Sequence, residues 1–153
     1  MSVKEKNVVI TSAARTPIGT FRGSLKSKHA HNLGSAVIKE VIKRSQLNPN
    51  EVDELIMGQV LTGGSGQNPA RQAGIEAGLP IEKTAYVINQ VCGSGLRSVV
   101  AGYQSIISRD CNIVIAGGQE SMSNAPHAIN IRSGQKLDEK NLVDTMIKDG
   151  LWD

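Results

Sequence analysis

The sequence predicts an α/β fold built on a largely parallel sheet, and three observations predict it. Short apolar runs of strand length alternate along the chain with longer segments of helical period. Pro and Gly mark most of the changes from one to the other. With 153 residues, 39% of them hydrophobic and 20% charged, the chain suits one ordinary core and lacks the composition of a disordered segment.

Val8-Val9-Ile10, leading into Thr11-Ser12-Ala13-Ala14, is expected to be a buried strand, broken by Arg15-Thr16-Pro17-Ile18-Gly19. Over 32–45 the period is helical. Leu33, Val37 and Val41 share a stripe with Ala36, and Lys39, Glu40, Lys43 and Arg44 fill the other side. Asn48-Pro49-Asn50 turns the chain into a second strand within 54–61, where Leu55-Ile56-Met57 and Val60-Leu61 are apolar. A loop over 62–68 ends at Pro69, which is preorganised for a first helical turn. The helix it opens runs to Ala77, and Gly78 and Pro80 stop it. Ala85-Tyr86-Val87-Ile88 reads as a third strand, followed by a helix from Cys92 to about Arg109 and a fourth strand over 112–116. Strands alternating with helices in this way imply right-handed crossovers and parallel pairing. After Gly117 the character changes, and residues 138–148 are expected to form one more helix with Leu142, Val143, Met146 and Ile147 as its apolar face.

The bulk chemistry excludes several functions. Phe21, Tyr86, Tyr103 and Trp152 are all the aromatics, too few for a platform that stacks single-stranded nucleic acid. The net charge of +3 is mild, and the densest basic positions, Lys26 and Lys28, then Lys39, Lys43 and Arg44, suit a loop and a solvated helix face. No nucleic-acid partner is expected. Cys92 and Cys111 lack the spacing of a zinc site or a disulfide framework. No apolar stretch has the length of a signal peptide or membrane span, and a reducing cytoplasm is the expected compartment.

The most informative segment is Asn89-Gln90-Val91-Cys92-Gly93-Ser94-Gly95-Leu96-Arg97-Ser98. Here a cysteine leaves a strand end and enters a helix, followed by three small residues. The thiolate is the reactive form of cysteine, and a helix N-terminus favours it through unpaired N–H groups and the macrodipole. Gly93, Ser94 and Gly95 leave the sulfur uncrowded, and the Cys92 N–H is a candidate donor to a developing oxyanion. A cysteine at a helix start is more often an inert buried cap, so its neighbours must decide.

They do. The segment 89–98 resembles the thiolase signature around the acyl-accepting cysteine. Ala14-Arg15-Thr16-Pro17-Ile18-Gly19 resembles that family's opening motif, and Gly66-Gln67-Asn68-Pro69-Ala70-Arg71-Gln72 its second loop. Gly117-Gly118-Gln119-Glu120-Ser121-Met122-Ser123 is similar to the segment after its fourth strand. The four fall in the family's order and spacing, and the overall pattern looks most like the acetyl-CoA acetyltransferases. The resemblance implies the N-terminal half of a thiolase-like fold: residues 1–121 as the α/β domain without its last strand, and 122–153 as the start of the loop domain. It implies acetyl-CoA and acetoacetyl-CoA as substrates, Cys92 as the catalytic residue, ping-pong kinetics, and no metal or tightly held cofactor. It also implies catalytic groups that these 153 residues do not contain: a Gly-His-Pro histidine, a Cys-x-Gly-Gly-Gly cysteine and an Asn-Glu-Ala-Phe asparagine. His29, His31 and His127 lack that context and are expected to serve the surface. His29 and His31 are read as loop residues. Cys111, at a helix–strand junction, reads as a small buried side chain.

Along the helix from Cys92, Leu96, Val99, Val100, Tyr103, Ile106 and Ile107 form one apolar stripe, opposite small residues Ser98, Ala101, Gly102 and Ser105. Such a helix is packed on both sides. With the last strand contributed from beyond the loop domain, the isolated chain is expected to be inactive alone and to associate, as a homo-oligomer or with a partner chain supplying the C-terminal half. Three other readings are weaker: a catalytically dead remnant or structural partner of a full-length thiolase, a ketoacyl synthase, and a nucleotide-binding module. The last would use Gly93-Ser94-Gly95-Leu96-Arg97-Ser98 as an approximate GxGxxG loop, with Glu120 as the ribose-binding acid.

Overall fold

A computed structural model describes residues 7–132 and 141–152. Its centre is a three-stranded parallel sheet in the order β2 (Thr84–Ile88), β1 (Glu54–Gly58), β3 (Val114–Gly118). The register pairs Gly58 with Ile88 on one side and with Gly118 on the other, so the strands end together at their C-terminal edge. Crossovers through α2 (Pro69–Ala77) and α3 (Ser94–Ile107) make the parallel pairing possible, as the alternating pattern predicts.

The period-2 geometry of β1 sorts its side chains onto two faces. Leu55 and Met57 point into the main core, where they meet Ile38 of α1 (Ala30–Ser45), Ala70 and Ala73 of α2, and the loop residues Val52 and Leu79. Gly58 points to the other face, where α3 lies, and the result is a helix–sheet–helix sandwich. The ends of α2 follow the sequence signals. The Asn68 side chain caps it by accepting the Arg71 N–H at 3.0 Å, and Gly78 closes it at φ +95°.

The structure corrects several expectations. Val8–Ile10 forms no strand, and Val9 and Ile10 are 72% and 80% exposed. A strand needs a ladder partner. The outer edge of β3 has none among the described residues, and a cavity of about 590 Å³ separates it from residues 8–16. The stripe read on α1 faces this cavity: Leu33, Val37 and Val41 line it, whereas the core side carries Ala30, Gly34, Ser35 and Ile38, and Ala36 is exposed. Helix α1 also starts earlier than its periodicity shows, with His29 as its cap residue and His31 inside it. The helix expected over 138–148 falls partly outside the described residues. Within 141–152 the chain instead forms β5 (Val143–Asp144), antiparallel to β4 (His127–Ala128), and one wide turn over Ile147–Leu151 closed by the Trp152 N–H on the Ile147 carbonyl at 2.8 Å.

Helix α3 meets the sheet through its small face. Ser94, Ser98 and Gly102 are buried, and the Ser98 hydroxyl lies 2.6 Å from the Gly95 carbonyl and 2.7 Å from the Gly117 carbonyl. Its apolar stripe points outward, with Leu96 73% and Tyr103 53% exposed. Two outcomes are expected. A Cβ added at Gly58 would lie 2.6 Å from the Gly95 nitrogen, so Gly58→Ala should lower unfolding free energy by about 1–3 kcal/mol in urea titrations. The uncovered stripe and open edge should make the isolated chain associate as its concentration rises in sedimentation velocity, and Leu96→Lys with Tyr103→Lys should reduce that association without loss of helical circular dichroism.

Candidate active site

Residues 89–93 link the end of β2 to α3 in a tight turn whose geometry is locked from inside. Val91 sits at φ +48°, a left-handed conformation that costs a β-branched residue about 1–2 kcal/mol. Three side-chain bonds hold it there. The Asn89 carbonyl oxygen accepts the Val91 N–H at 2.9 Å, the Ser94 hydroxyl accepts the Gln90 N–H at 2.9 Å, and the same hydroxyl donates to the Val91 carbonyl at 2.6 Å. Backbone bonds from Gly93 to the Gln90 carbonyl and from Ser94 to the Val91 carbonyl complete the turn. Ser94 is buried, and Gly58 of β1 packs against its backbone. Cys92 rides on this turn, exposed, with its thiol free.

Cys92 therefore stands at the C-terminal edge of a parallel sheet, the side on which α/β folds place their ligands. It borders a cavity of about 400 Å³ with Gly58, Val60, Leu61, Gly118, Glu120 and Met122 in the walls and Gly150 and Leu151 beside them. The helix begins at Ser94 with Gly93 as its cap residue, two positions later than the sequence suggests. The displacement puts the cysteine on the connecting turn ahead of α3, where small neighbours leave the sulfur open.

None of the histidines lines this cavity. His31 Nδ1 lies 3.0 Å from the Glu76 carboxylate, which hydrogen bonding to His31 holds below the ordinary range. His29 stacks on His31 at 5.8 Å between ring centroids, and His127 Nε2 is 3.9 Å from Asp144. Cys111 is buried, 3.6 Å from the Ser105 hydroxyl, and burial pushes its thiol up. It lies outside the Cys92 cavity.

The other motifs do structural work around the site. In 66–72, Asn68 caps α2 and donates to the Ala85 carbonyl at 2.8 Å, and Arg71 donates to the Ile81 carbonyl at 2.7 Å. In 117–123, the buried Gln119 donates to Gln59 Oε1 at 2.9 Å and to the Pro69 carbonyl at 3.2 Å, and Ser121 donates to the Lys28 carbonyl at 2.7 Å. Glu120 accepts the N–H groups of Val60 and Leu61 and so is engaged inside the protein, away from any ribose-binding role. The roles of Ser94, Gln59 and Glu120 escape sequence reasoning, since each depends on a partner from another strand end or a neighbouring turn.

The family model described as "Thiolase, N-terminal domain" matches residues 8–153. This chain belongs to the thiolase family. Among its relatives, an acetyl-CoA acetyltransferase of Paracoccus denitrificans is 59% identical over 145 residues, which is 95% of this chain and 37% of that protein. The cytosolic acetyl-CoA acetyltransferase of Rattus norvegicus is 50% identical over 153 residues, 100% of this chain and 38% of its own length. The crystal structure of the Acat5 thiolase from Ascaris suum in complex with coenzyme A superposes with a TM-score of 0.92 at 44% identity, covering 97% of this chain and 38% of that one. The chain thus spans about 37–38% of the length of these relatives. Among the described residues no helix is long and apolar enough to cross a membrane.

The turn generates a prediction. Ser94→Ala removes the hydroxyl that serves both Gln90 and Val91 and should cost about 1–3 kcal/mol. Val91→Gly relieves the left-handed strain at some cost in chain entropy and should leave stability equal or raise it by up to about 1 kcal/mol. Thermal melts of the two variants check the pair.

Proposed function

We propose that these residues supply the nucleophile of an acetyl-CoA C-acetyltransferase, with Cys92 as the acyl-accepting group. The observation that carries the reading is the exposed Cys92 thiol on a locked turn beside the cavity at the sheet's C-terminal edge. Cys92 Sγ attacks the thioester carbonyl of acetyl-CoA. The bond from that carbonyl to the CoA sulfur breaks, CoA leaves as its thiol with the proton released from Cys92, and the acetyl group stays on Sγ. A second acetyl-CoA gives up a methyl proton, and its carbanion attacks the enzyme thioester. Acetoacetyl-CoA forms, the bond from the acetyl carbonyl to the Cys92 sulfur breaks, and the released thiolate takes up a proton equivalent to the one lost from the methyl group, so two acetyl-CoA become acetoacetyl-CoA and CoA. Splitting one hard step into two through a covalent intermediate is what a nucleophilic cysteine contributes.

The names of the relatives support acetyl-CoA as substrate, and the coenzyme A bound to the Ascaris thiolase supports a CoA thioester. Within these 153 residues no histidine lies in a Gly-His-Pro context, and neither Cys-x-Gly-Gly-Gly nor Asn-Glu-Ala-Phe occurs. On this reading the second half-reaction draws its acid and base from outside them, and the 153 residues alone do not turn over. On the same reading the α/β domain is 1–121 and the loop domain begins at 122, a division supported by β4 and β5 pairing with each other in a sheet separate from the central one. The cytoplasm is the compartment that suits two free thiols.

Intact-mass spectrometry after exposure to acetyl-CoA tests the nucleophile. A single acetyl adduct that disappears in Cys92→Ser is expected. No adduct on a folded chain whose Cys92 still takes up iodoacetamide would overturn the reading for these residues.

A further inference from the structure

Among the described residues Glu120 is the one carboxylate lining the Cys92 cavity, and the acyl-transfer steps above make no use of it. It lies just past Gln119, which follows β3. Its Oε2 accepts the Val60 N–H at 2.8 Å and its Oε1 the Leu61 N–H at 3.3 Å, so one carboxylate fixes two successive amides of the chain leaving β1. The ion pairs among the described residues lie elsewhere, at Glu76, Glu40 and Asp144, and none involves Glu120. Val60 and Leu61 in turn receive the wide turn over Ile147–Leu151. A Cβ at Gly150 would lie 3.1 Å from Leu61 Cδ2 and 3.9 Å from Val60 Cγ1, and the next residue, Leu151, borders the Cys92 cavity.

We propose that Glu120 is a positioning residue for the chemistry of Cys92: its carboxylate holds Val60 and Leu61, and through them the 147–151 turn, as the wall that faces the thiol. The inference rests on Cys92 being the acyl-accepting group. A partly buried carboxylate with no cation paired to it among the described residues is a costly way to fix a loop that a neutral side chain could cap. Spending it on the wall of the nucleophile's cavity gives that charge a task.

The protonation behaviour agrees with the geometry. Burial pushes the Glu120 acid above the ordinary carboxylate range, against the backbone N–H groups of Val60, Leu61 and Ser121, which pull it down. The folded state therefore binds this proton more readily than the unfolded chain, and stability falls as pH rises from the unfolded value through the raised one. Asp53 and Glu76, held low chiefly by the Asn112 N–H and by His31, carry the opposite sign and rise in stabilising effect with pH. The other titratable or charged groups on the elements around Glu120 are the Cys92 thiol across the smaller cavity, Arg15 and Tyr103 across the larger one, and Lys148 and Asp149 on the turn.

Glu120→Gln and Leu61→Ala, compared with the parent chain, test the proposal by hydrogen exchange, by acetylation from acetyl-CoA and by alkylation with iodoacetamide. In Glu120→Gln, exchange over 147–152 at neutral pH should rise on the order of tenfold with Ile56 and Met57 unchanged. Acetylation of Cys92 should fall about tenfold or more, since it needs the wall. Alkylation, which needs only an open thiol, should stay within about twofold. The fall in melting temperature that Glu120 adds as pH rises through its titration should vanish in the variant. Leu61→Ala, which keeps the carboxylate, should loosen 147–152 alike. Unchanged exchange over 147–152 in both variants, or equal losses of alkylation and acetylation in Glu120→Gln, would overturn the role. A parent chain that takes no acetyl group would sink the acyl-acceptor reading instead, and exchange would still decide whether Glu120 holds the wall.

Discussion

Everything around Cys92 depends on how closely α3 approaches the sheet. Gly58, Gly95 and Gly118 bring the backbone of the strand ends almost against the first turn of the helix, where a Cβ at Gly118 would lie 3.3 Å from Gly95 Cα. Ser94 and Ser98 fill the seam without bulk and turn their hydroxyls to carbonyls, which would otherwise be desolvated without a partner. The cost of that approach is a helix whose small side is its buried side. Its larger apolar residues then face outward, so one constraint explains both the fixed turn at Cys92 and the exposed stripe beside it.

The same strand ends organise the two cavities. Gly118, Gln119 and Glu120 border both the space at Cys92 and the larger one between β3 and residues 8–16. Gln119 ties this corner to Gln59 and Pro69, and Glu120 ties it to Val60 and Leu61. A change at the outer edge of β3 would therefore bear on residues that also wall the Cys92 cavity. At this corner backbone from two segments, Val60–Leu61 and Pro69, engages the Glu120 carboxylate and Gln119 Nε2, while Gln119 Oε1 is buried with no partner among the described residues.

Much of the candidate site was legible in the sequence. Cys92 announces itself through the small residues after it and through three further motifs in order, and α2 announces both of its ends through Asn68, Pro69 and Gly78. Partners distant in sequence were not legible. Glu120 lies 60 residues from the amide it holds at Val60, and Gln119 the same distance from Gln59. The stripe Leu33, Val37, Val41 was legible as apolar, but the cavity it faces was not, because period reports which residues share a face and says nothing about what covers it.

By itself the sequence determined most of the alternation of strands and helices, which rests on local period and turn residues, and its four motifs pointed to the family by resemblance. Only the tertiary structure decided which face of α3 is inside, that Val8–Ile10 lacks a ladder, and that Cys92 sits on a strained turn ahead of the helix. The physical reason is the same in each case. A strand exists only beside a partner, a helix face is buried only against something that fits it, and a left-handed Val91 persists only because Asn89 and a buried Ser94 hold it there.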